Sequence, residues 1–141
     1  MAFAGLNYFA VVLASMASFL FGGLWYGLFS GTWMEAAGLD EEKIKAGAGK
    51  PSAAPYLIAF FCQLLMAWAL AGVIGHLGTG QVGVRNGLIS AGFVWAGFVM
   101  TTLITNHTFQ MQKRTLTLID GGHWLGVLLI QGLVIGWMGV R

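Results

Sequence analysis

Three residues in the last third of the chain, His107, Asp120 and His123, are of the types that carry acid–base or metal chemistry. Asp120 and His123 are three apart, which puts them on one face of a helix. A carboxylate so placed can orient an imidazole for a proton relay or a pH switch. A metal site made of all three is the other chemistry to weigh, but the spacing matches no standard ligand pattern. A simpler reading is expected to hold. Asp120 caps the last helix, and His107, His123 and their neighbours Asn106, Gln110, Lys113 and Arg114 are solvated residues at a membrane surface.

A second set is polar but uncharged: Gln63, Gln131, Thr101, Thr105 and Asn106, with Ser15, Ser18, Ser90 and Thr102 as weaker members. In a membrane such residues either line a path for a solute or tie helices together. Ser and Thr can also bond back to their own helix. The expectation is that Gln63 and Gln131 make interhelical hydrogen bonds, worth about 1 kcal/mol each. His76 reads as an interfacial residue. The single cysteine, Cys62, has no disulfide partner and reads as a packing or lipid-facing residue. No nucleophile elbow, phosphate loop, dinucleotide fingerprint or zinc-protease helix occurs. No catalytic, cofactor-binding or metal-binding residue is therefore expected, and no enzyme.

The elements that must hold these residues follow from the charges. Only 9% of the 141 residues are charged and 57% are hydrophobic. No Asp, Glu, Lys or Arg precedes Glu35, and none lies between Lys50 and Arg85, between Arg85 and Lys113, or between Asp120 and Arg141. Each gap holds about 20 residues or more, enough to cross a hydrocarbon core of about 30 Å as a helix. Lipid offers no partner to backbone N–H and C=O groups, and the runs are too long and uniform for barrel strands. The expected fold is all-α: one transmembrane domain over 1–141, a bundle of helices at about 7–29, 55–78, 84–106 and 122–140. The first run has no basic residue before it and continues to Phe29, so it reads as a retained helix and not as a cleaved signal.

The first connection, about 30–54, is the long one. Gly38 is placed to stop a short helical turn and Asp40 to cap another, with Glu41 and Glu42 at its positive end. The stretch from Gly47 to Ser52 reads as a flexible return. Connections 1 and 3 carry Lys43, Lys45, Lys50, Lys113 and Arg114, against Arg85 and Arg141 on the other side. The positive-inside rule then sets both termini outside the cytoplasm. Trp25, Tyr26, Trp33, Tyr56 and Trp124 would gather at the cytoplasmic interface, and Tyr8 and Trp137 at the outer one.

Small residues recur at helical spacing. They include Ala10, Ala14, Ser18 and Gly22, then Gly23, Gly27 and Gly31, in the first helix. Gly83, Gly87 and Ala91 follow in the third, and Gly122, Gly126, Gly132 and Gly136 in the fourth. Membrane helices associate through such close backbone approaches. The rows are expected to pack the bundle itself; the other use for one of them is a seam between copies.

Several segments together carry a resemblance. They are Asn7-Tyr8 opening the first helix, Leu24-Trp25-Tyr26-Gly27 near its end, Trp33-Met34 and Gly38-Leu39 after it, Gly121-Gly122-His123-Trp124, and Gly136-Trp137. The chain resembles a family of short bacterial four-helix membrane proteins known as domain of unknown function seventeen-sixty-one. The His123-Trp124 pair departs from the aromatic residue that the resemblance places after the glycines. The resemblance implies a four-helix architecture and brings no activity or site residue. The expected function is a non-enzymatic accessory or assembly component of a bacterial inner membrane. Its partners would be the lipid bilayer and a homo-oligomer or larger membrane complex, with no nucleic acid. The alternative is a small oligomeric transporter or channel subunit working around Gln63, Gln131 and the face from Thr101 to Asn106.

Overall fold

The computed structural model describes residues 5–40, 42 and 53–139. Four helices are long and apolar enough to span a membrane: α1 (Tyr8–Ala36), α2 (Ala54–Gly75), α3 (Val84–Phe109) and α4 (Arg114–Met138). The reading at Glu41, the return over Gly47–Ser52 and the charges at Lys43, Lys45, Lys50 and Arg141 lie outside the described residues.

The bundle is inside out relative to a water-soluble one. On α1 the buried residues are Ala10, Val11, Ala14, Ser15, Ser18, Gly22 and Ala36, while Leu20, Leu24 and Leu28 are 67%, 69% and 82% exposed. Large side chains face outward on the other helices too, as at Phe61, Phe93, Phe98 and Trp137. Only lipid makes this distribution stable, since small residues inside let backbones approach and large apolar ones outside dissolve in the acyl chains.

Two helices are longer than the sequence pattern predicts. Helix α1 continues seven residues past Phe29, to Ala36. Nothing in Ser30–Ala36 breaks a helix, so it leaves the apolar layer still wound. It ends at Gly38, whose φ of +70° admits the closing pair of bonds from Leu39 N–H to Met34 O (2.8 Å) and Gly38 N–H to Glu35 O (3.2 Å). Gly38 therefore stops α1 itself. Helix α4 starts eight residues before Gly122, at Arg114, with Lys113 in the N-cap position. Leu116 and Ile119 are buried and three apart, so the helical face already exists upstream of the glycines.

Helix α3 is not uniform. Its middle, Trp95–Met100, is wound as a π turn between α-helical Val84–Val94 and Thr101–Phe109. The π turn adds one residue to the helix's contact row. In an α-helix, residues five apart point about 140° away from each other; here Trp95 and Met100 both reach Gly121 of α4. The indole N–H of Trp95 donates to Gly121 O at 2.8 Å. A Cβ on Gly121 would meet Met100 Sδ at 2.5 Å. The row facing α4 thus runs Gly83, Gly87, Ala91, Trp95, Met100.

Helix α4 is the centre of the bundle. Of its most apolar window 44% is buried, against 17% for α3. Toward its C-terminus it crosses α3 in backbone contact: a Cβ on Gly87 would run into Gly132 O, and one on Gly132 or Gly136 into the carbonyls of Gly87 or Gly83.

Candidate functional site

Two polar clusters sit along α4, one near its N-terminal end and one at mid-membrane. The first is a clasp around one turn of α4. From α1, the Trp25 indole N–H donates to Ile119 O at 3.0 Å and Tyr26 O–H donates to Asp120 Oδ1 at 2.7 Å. From α3, Trp95 holds Gly121 O. The glycines that follow make room for the rings. A Cβ on Gly122 would meet Trp25 Cζ2 at 2.8 Å, one on Gly126 would strike the Phe21 ring, and one on Gly22 would meet His123 Nε2 at 2.8 Å.

Asp120 thus caps nothing. It lies six residues inside α4, half-buried, and accepts the Tyr26 hydroxyl. His123 is buried at 5% exposure, beside Tyr26 and Trp124 with ring centroids at 4.8 and 4.6 Å, and stacked with Phe21 at 6.2 Å. Its Nδ1 has no hydrogen-bond partner. The expectation of a solvated His123 is corrected: Gly22 on α1 opens the space that takes the ring inside. His107 goes elsewhere, its Nδ1 lying 2.8 Å from Thr117 Oγ1. Among the described residues no group of three or more His, Cys, Asp or Glu gathers where it could hold a metal ion.

The second cluster joins three helices. The Ser18 hydroxyl lies 2.8 Å from Gln63 Oε1 and 3.1 Å from Ser15 O, and it accepts from Gln131 Nε2 at 3.1 Å. The same Nε2 donates to the backbone carbonyl of Gln63 at 3.1 Å. All members are buried, Gln131 and Ser18 completely. Gln131 Oε1 is left without a partner. The two glutamines therefore meet across α1, α2 and α4.

The remaining polar residues do not join them. Thr101 and Thr105 are exposed on the outer face of α3 and donate back to Gly97 O and Thr101 O. The Asn106 side chain is exposed as well. His76 Nδ1 lies 3.0 Å from Gly72 O of its own helix. Cys62 is exposed on α2.

The clasp is what residue-by-residue reading missed. Its signal was present: Leu24-Trp25-Tyr26-Gly27 and Gly121-Gly122-His123-Trp124 are the segments that carry the resemblance, and in the fold they are each other's partners. The family described as protein of unknown function (DUF1761) matches residues 9–136, which takes in both segments and all four helices but their extreme ends. No curated protein and no solved structure matches the chain.

Proposed function

This chain belongs to the DUF1761 family of proteins of unknown function, and on that footing we propose that it is a non-enzymatic accessory or assembly component of the bacterial inner membrane. The observation that carries the proposal is how the mid-membrane polar groups are used. Gln63, Gln131 and Ser18 bond one another in a buried knot, and Thr101 and Thr105 turn back onto their own helix. A transport path needs such groups in one water-accessible cavity, and this chain divides them between its core and its outer face. A bundle whose interior is tied to itself acts through its surface, which here is aromatic and apolar, as at Phe93, Phe98 and Phe109. Its partners are lipid and a larger membrane complex or further copies of itself, not nucleic acid. It works without a cofactor. The five cations of connections 1 and 3 support an orientation with those connections in the cytoplasm and both termini outside.

The test is gentle extraction in native membrane discs, followed by the mass of what travels with the protein. Copurification with a larger complex supports the proposal. A closed ring of this chain alone, with ion flux in reconstituted vesicles, would replace it with the channel reading.

A further inference from the structure

The α3–α4 hairpin encloses a groove that the proposal above does not use. Its volume is about 590 Å³. The lining is graded with depth. Met100, Ile104 and Leu118 form an apolar wall, and Ile104 and Leu118 sit about 6–8 Å below the ends of their helices at the hairpin. Thr108, Gln112 and Arg114 form the rim. Between these levels the His107–Thr117 contact ties the two helices together.

The charge of the rim has one sign. No Asp or Glu lines the groove, and Asp120, further along α4, is engaged by Tyr26. Arg114 is the first residue of a 25-residue helix, and the preceding Lys113 makes no side-chain cap bond. The positive end of the helix, where the Leu116 N–H is taken by Lys113 O and the amides of Arg114 and Thr115 have no partner within the helix, therefore adds to the Arg114 guanidinium at the rim. The winding of α3 bears on the same place: the π turn ends on Met100, which lies against Gly121 on one side and lines the groove on the other. Such turns often mark functional sites.

The geometry points to a binding site for one anionic phospholipid in this groove. The phosphate sits on Arg114 and the first amides of α4 with the Gln112 side chain beside it, and an acyl chain runs along Met100, Ile104 and Leu118. Basic pockets between membrane helices recognise acidic headgroups in this way. A free phosphate would leave the apolar wall uncovered, and a zwitterionic headgroup would bring its own cation against Arg114. A second groove of about 560 Å³, lined by Val73, Leu77, Asn86, Phe93 and Phe98 among others, has no charged residue and serves as the internal control. The site stands apart from the accessory role: a failed copurification leaves it untouched.

The experiment uses the purified, delipidated full chain in mild detergent, titrated with phosphatidylglycerol or phosphatidylcholine and read by native mass spectrometry. One phosphatidylglycerol adduct is expected at concentrations where phosphatidylcholine leaves the protein bare. Arg114→Gln should lower the bound fraction at least three-fold, and Asn86→Ala in the other groove should leave it unchanged. Leu118→Trp, which fills the apolar wall and keeps the charge, should lower it too and serves if Arg114→Gln fails to fold. Equal adducts with both lipids, or undiminished binding in the Arg114 and Leu118 variants, would overturn the proposal. Displacement of the lipid by millimolar inorganic phosphate would also overturn it, making a soluble anion the ligand.

Discussion

Met111 turns the chain between α3 and α4 with φ at +54°, the one non-glycine positive value among the described residues. Gln112 N–H and Met111 N–H close the end of α3 on His107 O and Thr108 O, a geometry that glycine adopts without steric cost. The Met111 side chain is 90% exposed, so little packing offsets the left-handed backbone. Met111→Gly is expected to stabilise the protein by about 1 kcal/mol, read as a higher midpoint in detergent-titrated unfolding. The Tyr26–Asp120 bond predicts the opposite sign. Tyr26→Phe leaves the Asp120 carboxyl without its donor at the edge of the apolar layer and should cost about 1–3 kcal/mol. Combined with Asp120→Leu it should cost less than the two single changes added together, because the stranded group is then gone. Additive costs would mean that the bond contributes nothing beyond packing.

At the scale of the element, the glycines divide into two kinds that the sequence writes alike. Gly87 presses its backbone on Gly132, while Gly23 and Gly27, spaced just as regularly on α1, have open space beside them. Gly87→Val should therefore force α3 and α4 apart and cost about 1–3 kcal/mol. Gly23→Ala should be harmless or stabilise by up to about 1 kcal/mol. Unfolding midpoints of the two variants decide it, and equal loss in both would mean that the α1 row is in contact with something as well. The packing rows of α3 and α4, the four spans and the stop at Gly38 were legible because charge gaps, glycine spacing and helix-ending glycines are local properties. The expectation that Gly23, Gly27 and Gly31 also pack the bundle is corrected, since open space lies beside all three. The extra length of α4 was not, because Asp120 looks like a cap until Tyr26, 94 residues away, is placed against it. Nothing local marks Trp95–Met100 as a π turn either. Its cause is the demand that Gly87 and Met100, on one helix, both face α4. The knot of Gln63 and Gln131 was read as helix-to-helix bonding, but Ser18 as its third member was not, since a serine can as well satisfy itself.

For the whole molecule, the fold makes a prediction about sides. In a Cys62→Ala background, Gln81→Cys in the α2–α3 turn and Met111→Cys in the α3–α4 turn should be labelled by a charged thiol reagent from opposite faces of the membrane. On the proposed orientation Met111→Cys should react only from the cytoplasmic side; labelling from the outer side would invert that orientation. The native Cys62, exposed on a lipid-facing helix, should react with lipophilic reagents and resist charged ones. The central place of α4 has a further consequence, for the order in which the protein can be built. Helix α4, which touches each of the other three, is the last of the four to leave the ribosome, and the Ser18–Gln63 pair waits for Gln131, 113 residues beyond Ser18. Until then α1 stands in the bilayer with a face made for α4 turned toward lipid. Its serines can endure the wait, since Ser15 donates to Val11 O and Ser18 can turn to Ser15 O. Gln63 can meet Ser18 as soon as α2 lies beside α1, so a ribosome stalled before Gln131 would leave a bonded pair that still lacks the amide that completes the knot.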